Sequence, residues 1–142
     1  SISKKDNKNK MSFKGSFKQK YNSYKDIKNS IKVFNNNRFI KNKTKISLIK
    51  GDATKTIPNF VKKNKHLIVS SLWLDFDIYE PTKAALDNFV PLMPKGSIIV
   101  FDELNNEFWP GETQAFLENK KIKYSKLLSF PFEPNVSYIV LK

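Results

Sequence analysis

Two stretches of this 142-residue chain share one design, and together they restrict the fold more than any other feature. Trp73 to Thr82 reads Trp-Leu-Asp-Phe-Asp-Ile-Tyr-Glu-Pro-Thr, and Ser97 to Glu112 reads Ser-Ile-Ile-Val-Phe-Asp-Glu-Leu-Asn-Asn-Glu-Phe-Trp-Pro-Gly-Glu. Each is an apolar run long enough for one buried strand, then carboxylates at its carboxyl end, then a Pro that opens the next helix. Neighbouring strands lie about 4.8 Å apart. Two adjacent parallel strands ending this way bring Asp75, Asp102 and Glu103 into one small volume, at the edge where open α/β sheets bind ligands.

The rest of the chain alternates around these stretches. Ser1 to about Lys18 is polar and Lys-rich, a loop or disordered arm with no chemistry of its own, and residues 19–142 form the domain. From Tyr21 to Phe34, Tyr24, Ile27, Ile31 and Phe34 follow the spacing of an amphipathic helix, which Asn35-Asn36-Asn37 ends. Lys45 to Lys50 predicts a short strand closed by Gly51-Asp52, and Thr56 to Val61 a short helix with Pro58 in its first turn. Leu67 to Leu74 is a strand whose continuous apolarity predicts burial on both faces, with Trp73 in the core. Pro81 to about Leu92 is a helix, Pro94-Lys95-Gly96 a turn, Ser97 to Phe101 a strand and Pro110 to Asn119 a helix. Tyr124 to Phe130 and Val136 to Leu141, separated by residues 131–135, make an antiparallel strand pair. This order predicts an α/β doubly wound sheet, mostly parallel, with an antiparallel carboxyl-terminal strand.

Composition narrows the function classes. There is no Cys, so a disulfide framework, a thiolate metal site and a Cys nucleophile are excluded, and the absence suits a reducing compartment. The apolar runs are strand-sized, well short of the roughly 20 residues of a membrane span, and the Lys-rich amino terminus leads into no signal-peptide core. The expected location is the cytoplasm. The net charge of +13 is concentrated: residues 1–65 hold 19 Lys and Arg against 3 Asp and Glu, and residues 66–142 hold 7 against 10. Only Arg38 is Arg, the residue preferred for bidentate phosphate and guanine contacts. The Lys and Asn clusters read as solvated surface, with a polyanion or membrane-surface patch as the alternative; no specific nucleic-acid partner is expected.

The acids carry the chemistry. On an extended chain Asp75 and Asp77 point the same way, whereas Asp102 and Glu103 diverge unless the strand has ended. Clustered carboxylates repel, and a cation or a shared proton relieves them. One acid at such a place is as well a helix cap or a loop residue, but three at two strand ends point to a metal or to catalysis. Oxygen ligands alone favour Mg²⁺, or Ca²⁺ or Mn²⁺, over zinc. His66, the only His, falls at the opposite edge and reads as structural or surface. Trp73, Tyr79, Phe108 and Trp109 are candidates for an aromatic wall. Asp52 is placed either to accept a hydrogen bond from a ligand amine or to cap the following turn.

Leu48 to Pro58 (Leu-Ile-Lys-Gly-Asp-Ala-Thr-Lys-Thr-Ile-Pro), Leu74 to Leu86 (Leu-Asp-Phe-Asp-Ile-Tyr-Glu-Pro-Thr-Lys-Ala-Ala-Leu), Val100 to Glu103 and Trp109 to Glu112 together resemble the macrocin O-methyltransferase family. Its members are class I S-adenosylmethionine-dependent enzymes that methylate sugar hydroxyls. The resemblance spans Gly51 to Glu112. It implies a Rossmann-like sheet of class I methyltransferase type, with Mg²⁺ held by Asp75, Asp102 and Glu103. Asp75 would also be the general base, Asp52 and Ala53 would lie at the cofactor, and Tyr79 and Trp109 at a sugar or glycoside acceptor. Glu103 stands where many members have Asp. The family's Gly-rich turn after its first strand has no counterpart among Gly15, Gly51, Gly96 and Gly111. The chain therefore corresponds to the carboxyl-terminal two-thirds of that fold, lacking the first strands. The leading expectation is a Mg²⁺-dependent sugar O-methyltransferase or a fragment of one, with room for a homo-oligomer. The alternative is a non-catalytic remnant whose basic half binds a polyanion or another subunit. A metal-dependent phosphatase would need a nucleophile or phosphate loop, and the sequence has neither.

Overall fold

The computed structural model describes residues 2–6 and 20–142, except the side chain of Pro134. The chain divides into two units, Gly15–Lys50 and a larger one of Ser1–Lys14 with Gly51–Lys142. Of the expected amino-terminal arm, Ser1 and residues 7–18 lie outside the described residues.

In the smaller unit, α1 spans Ser23–Asn37. Asn22 caps it by accepting the Lys25 N–H at 3.1 Å, an N-cap role for which Asn is among the best residues. None of its residues is buried. Arg38 closes the segment that follows, donating to Asn35 Oδ1 (2.7 Å), Ile40 O (2.6 Å) and Lys43 O (2.7 Å). The chain's single guanidinium is thus spent on its own backbone turn. The strand expected at Lys45 to Lys50 does not form. The run has strand composition, but a strand exists only with a partner ladder, and none of the described strands pairs with it.

In the larger unit, α2 (Ala53–Lys63) starts three residues earlier than Thr56 because Asp52 is its N-cap, which places Pro58 inside the helix. The sheet consists of β1 (Ser71–Leu74), β2 (Ile98–Phe101), β3 (Leu128–Phe130) and β4 (Glu133–Val140), in the order β1-β2-β4-β3. Between β1 and β2 runs α3 (Tyr79–Phe89), extended by a 3₁₀ turn at Val90–Leu92, and α4 (Pro110–Glu118) follows β2. β1 and β2 are parallel, as a helical crossover requires; β4 is antiparallel to β2 and to β3. The fold is a mixed α/β sheet with helices. Its parallel part is a single pair, fewer than the mostly parallel sheet expected, because the Lys45 to Lys50 run adds no strand and β4 pairs antiparallel with both its neighbours; β1 is also short, with only Ser71 to Leu74 of the Leu67 to Leu74 run in the ladder. Val69 instead donates its N–H to Leu92 O at 3.0 Å. Gly96 takes φ +83°, a value suited to Gly, in the turn before β2.

One sheet face, Leu72, Leu74, Ile99, Phe101 and Ile139, is buried against Ala85 and Leu86 of α3, Ala115 and Phe116 of α4, and Ile122. Phe101 and Phe116 meet edge to face, with ring centroids 5.2 Å apart. The other face is more open, with Trp73 62% exposed and Ile98 and Val140 about two-fifths exposed, although Val100, beside Trp73, is buried on it. The expectation of burial on both faces, and of Trp73 in the core, is corrected here. Strand residues alternate faces, and along β1 only Leu72 and Leu74 turn toward the helices that cover the sheet.

Candidate functional site

The parallel pair brings the two acid-bearing ends together. Leu74 pairs with Phe101, and the Asp102 N–H donates to Leu74 O at 3.2 Å, so Asp75 and Asp102 leave the sheet side by side. Both strands have ended by then. Asp102 and Glu103 therefore lie in a turn, half-buried, and Asp75 is exposed. Asp77 is not extended, as a pair pointing one way would require: its φ is +59°, and the Ile78 N–H closes back on Phe76 O at 2.6 Å. Asp tolerates this left-handed conformation better than most residues do. The turn leaves Asp77 close enough to the other acids to share their field. Burial, then Asp75, Glu103 and Asp102, push its carboxyl up to about 6. Asp102 is also raised, by burial and then by Asp75 and Glu133. The two strand ends thus put the backbones of Asp75 and Asp102 side by side, as the pairing of β1 with β2 requires.

A fifth acid lies beneath them. Glu112, in the first turn of α4, has no exposed surface. Its Oε1 accepts the Glu103 N–H at 3.1 Å, and its Oε2 has no hydrogen-bond partner among the described residues. Burial pushes this carboxyl up to about 8, with Asp102, Asp77 and Glu103 adding to the rise against the hydrogen bond from Glu103. Next to it, Gly111 is packed so tightly that a Cβ would lie 2.1 Å from Asp6 Oδ1 and 2.4 Å from the Tyr79 nitrogen. Glu103 also accepts a hydrogen bond from the Asn106 side-chain amide.

Asp6 has a role that sequence reasoning does not find. It is 4% exposed and accepts the Tyr79 N–H at 2.7 Å, supplying from 73 positions away the cap that Ile78 cannot give α3. Nothing in a polar, Lys-rich stretch marks one Asp as buried. Lys5 donates to Tyr79 Oη at 2.9 Å and pairs with Glu118, and Tyr79 Oη donates to Glu118 Oε2 at 2.6 Å. Residues 2–6 are therefore docked, contrary to a loop without a role. Tyr79, expected at the acceptor, is 5% exposed with its hydroxyl engaged, so as placed it holds α3 rather than lining an open wall.

Asp52 and Ala53 lie at the start of α2. Asp52 is a cap: its Oδ1 accepts from Thr54 N (3.0 Å) and Thr54 Oγ1 (2.7 Å), and these bonds hold its carboxyl below the usual range. Trp109, half-buried, precedes α4, and Phe108 is 47% exposed. His66 is exposed. Two shallow grooves, of about 270 Å³ between Leu86, Pro91 and Lys121 and about 450 Å³ between Tyr124, Lys126 and Val140, lie away from the acids.

A set of carboxylate oxygens, with no His or Cys among them, suits a hard divalent ion by its chemistry. By position it is not a ligand shell: among the described residues no three His, Asp or Glu side chains are grouped to hold a metal. Among the described residues no helix is long and apolar enough to cross a membrane.

A mixed sheet with helices on this pattern is a methyltransferase-like fold. Solved structures of CalS11 share it. One, described as calicheamicin methyltransferase, superposes with a TM-score of 0.89 at 29% identity, covering 98% of this chain and 55% of that one. The other, an apo structure described as TDP-rhamnose 3'-O-methyltransferase, an enzyme in calicheamicin biosynthesis, gives 0.76 at 32% identity, covering 82% of this chain and 50% of that one. The chain thus spans about half the length of the solved structures it matches. No protein-family model matches it, and no curated protein does. Neither structure is described as a macrocin enzyme, so that family remains a resemblance.

Proposed function

We propose that the chain carries the acceptor-activating part of an S-adenosylmethionine-dependent O-methyltransferase acting on a sugar hydroxyl. The observation that carries this reading is the side-by-side exit of Asp75 and Asp102 from β1 and β2, on a fold that superposes on CalS11 over nearly all of this chain. Asp75 is exposed at that edge, where a carboxylate is free to take the proton of an approaching hydroxyl. Were Mg²⁺ bound at this edge, Asp75, Asp102 and Glu103 would be the residues to hold it, once their side chains, not grouped as ligands here, turned toward it. A bound ion of that kind lowers the pKa of a coordinated alcohol. Trp109 is the aromatic candidate for the acceptor side, and Asp52 and Ala53 for the cofactor side. Cofactor capture also needs a phosphate-free anchor for methionine, and no Gly-rich turn among these residues supplies one. The cytoplasm is the proposed location.

Calorimetric titration with Mg²⁺ and with S-adenosylhomocysteine, singly and together, tests the reading, with Asp102→Ala as control. Mg²⁺ binding that Asp102→Ala weakens at least tenfold is the expected result. Absence of Mg²⁺ binding to the unmodified chain would sink the metal assignment. Binding of Mg²⁺ without the nucleoside would assign the chain the acceptor side alone.

A further inference from the structure

We propose that Glu112 is a positioning residue, the main clamp by which α4 fixes the turn presenting Asp102 and Glu103. What the turn presents rests on the function proposed above; the clamp itself rests on geometry. β2 ends at Phe101, the Asp102 N–H makes a last bond to Leu74 O, and the chain from Glu103 to Asn106 has left the sheet. A turn of this kind, with Asn105 at φ +64°, has no ladder to hold its backbone. Two side chains from the first helical turn of α4 take over: Glu112 Oε1 accepts the Glu103 N–H at 3.1 Å, and Thr113 Oγ1 accepts the Asn105 N–H at 2.9 Å. Glu112 is fully buried and Gly111 is locked against Asp6 and the Tyr79 nitrogen, so the clamp sits on a part of the helix that cannot drift. Small displacements of such supports disturb a site out of proportion to their size. The second oxygen, Oε2, is surplus to this role, which a Gln would fill as well as a Glu.

Amide exchange of the isotopically labelled chain, free of metal, tests the clamp directly, and Mg²⁺ titration tests its consequence. In the unmodified protein the Glu103 amide should exchange slowly although it lies beyond the strand. Glu112→Ala should speed that exchange at least tenfold and weaken Mg²⁺ binding at least tenfold, whereas Glu112→Gln should keep both within about threefold. A Glu103 amide that exchanges freely in the unmodified protein overturns the proposal, and it does so even if Glu112→Ala fails to fold. Protection kept in Glu112→Gln with Mg²⁺ affinity lost overturns it differently, by making Glu112 a charge contributor. If the unmodified chain binds no Mg²⁺, the metal reading fails and the exchange comparison alone decides the clamp.

Discussion

Glu112 shows how much one residue's surroundings alter its chemistry. In the sequence it is the acid of a Pro-Gly-Glu helix start, where a carboxylate suits the helix dipole and faces water. Folded, it is buried beside Asp77, Asp102 and Glu103, and its carboxyl rises from 4.5 to about 8. Between those two values the folded protein keeps a proton that the unfolded chain has released, so stability falls as pH rises through that window. The raised Asp77 acts in the same direction, but only up to about 6. Asp102, raised by burial and by Asp75 and Glu133, acts in the same direction, so it is the comparison with Glu112→Gln between pH 6 and pH 8 that isolates Glu112. In the presence of a chelator, urea denaturation should show stability falling there by about 1 kcal/mol for each step of one in pH, approaching the limit of about 1.4 kcal/mol that a single retained proton sets. Glu112→Gln should flatten that slope, and a slope unchanged in the variant would reject the assignment.

At the level of elements, α3 illustrates a helix start that local sequence does not complete. Its N-cap residue, Ile78, offers no side-chain acceptor, and the acceptor comes instead from Asp6. Asp6→Ala should lower stability by about 1–2 kcal/mol, the range of a lost N-cap, and speed exchange at the Tyr79 amide. An unchanged Tyr79 amide would mean that residues 2–6 do not cap the helix. The β1 strand is a second case, because two neighbouring residues should behave in opposite ways. Leu74→Ala should cost about 2–5 kcal/mol, since Leu74 is fully buried among Phe101 and its neighbours. Trp73→Lys, on the open face, should stay within about 0.5 kcal/mol of the unmodified chain. Equal losses at the two positions would show that a layer covers the Trp73 face in solution.

For the molecule as a whole, charge and fold are segregated. The Lys-rich residues before 66 stand against an acidic remainder that carries the carboxylate edge. The only Arg is engaged by Asn35, Ile40 and Lys43, which leaves the basic half to Lys, a point charge without a planar fork. Attraction to nucleic acid, measured by competition between unrelated duplexes of equal length, should be equal within about twofold and fall at least tenfold between 50 and 200 mM salt. A sequence preference above that would reopen a nucleic-acid role. Local pattern alone determined much of this protein. Apolar runs ending in acid, followed by Pro, placed β1, β2, α3 and α4 to within a few residues and brought Asp75 to Asp102, because strand and helix periods are properties of short segments. Tertiary structure decided the rest. It made the Lys45 to Lys50 run irregular for want of a pairing strand and left Trp73 largely exposed. It also buried Asp6 and Glu112, whose roles depend on partners 73 and 9 residues away that no local period records.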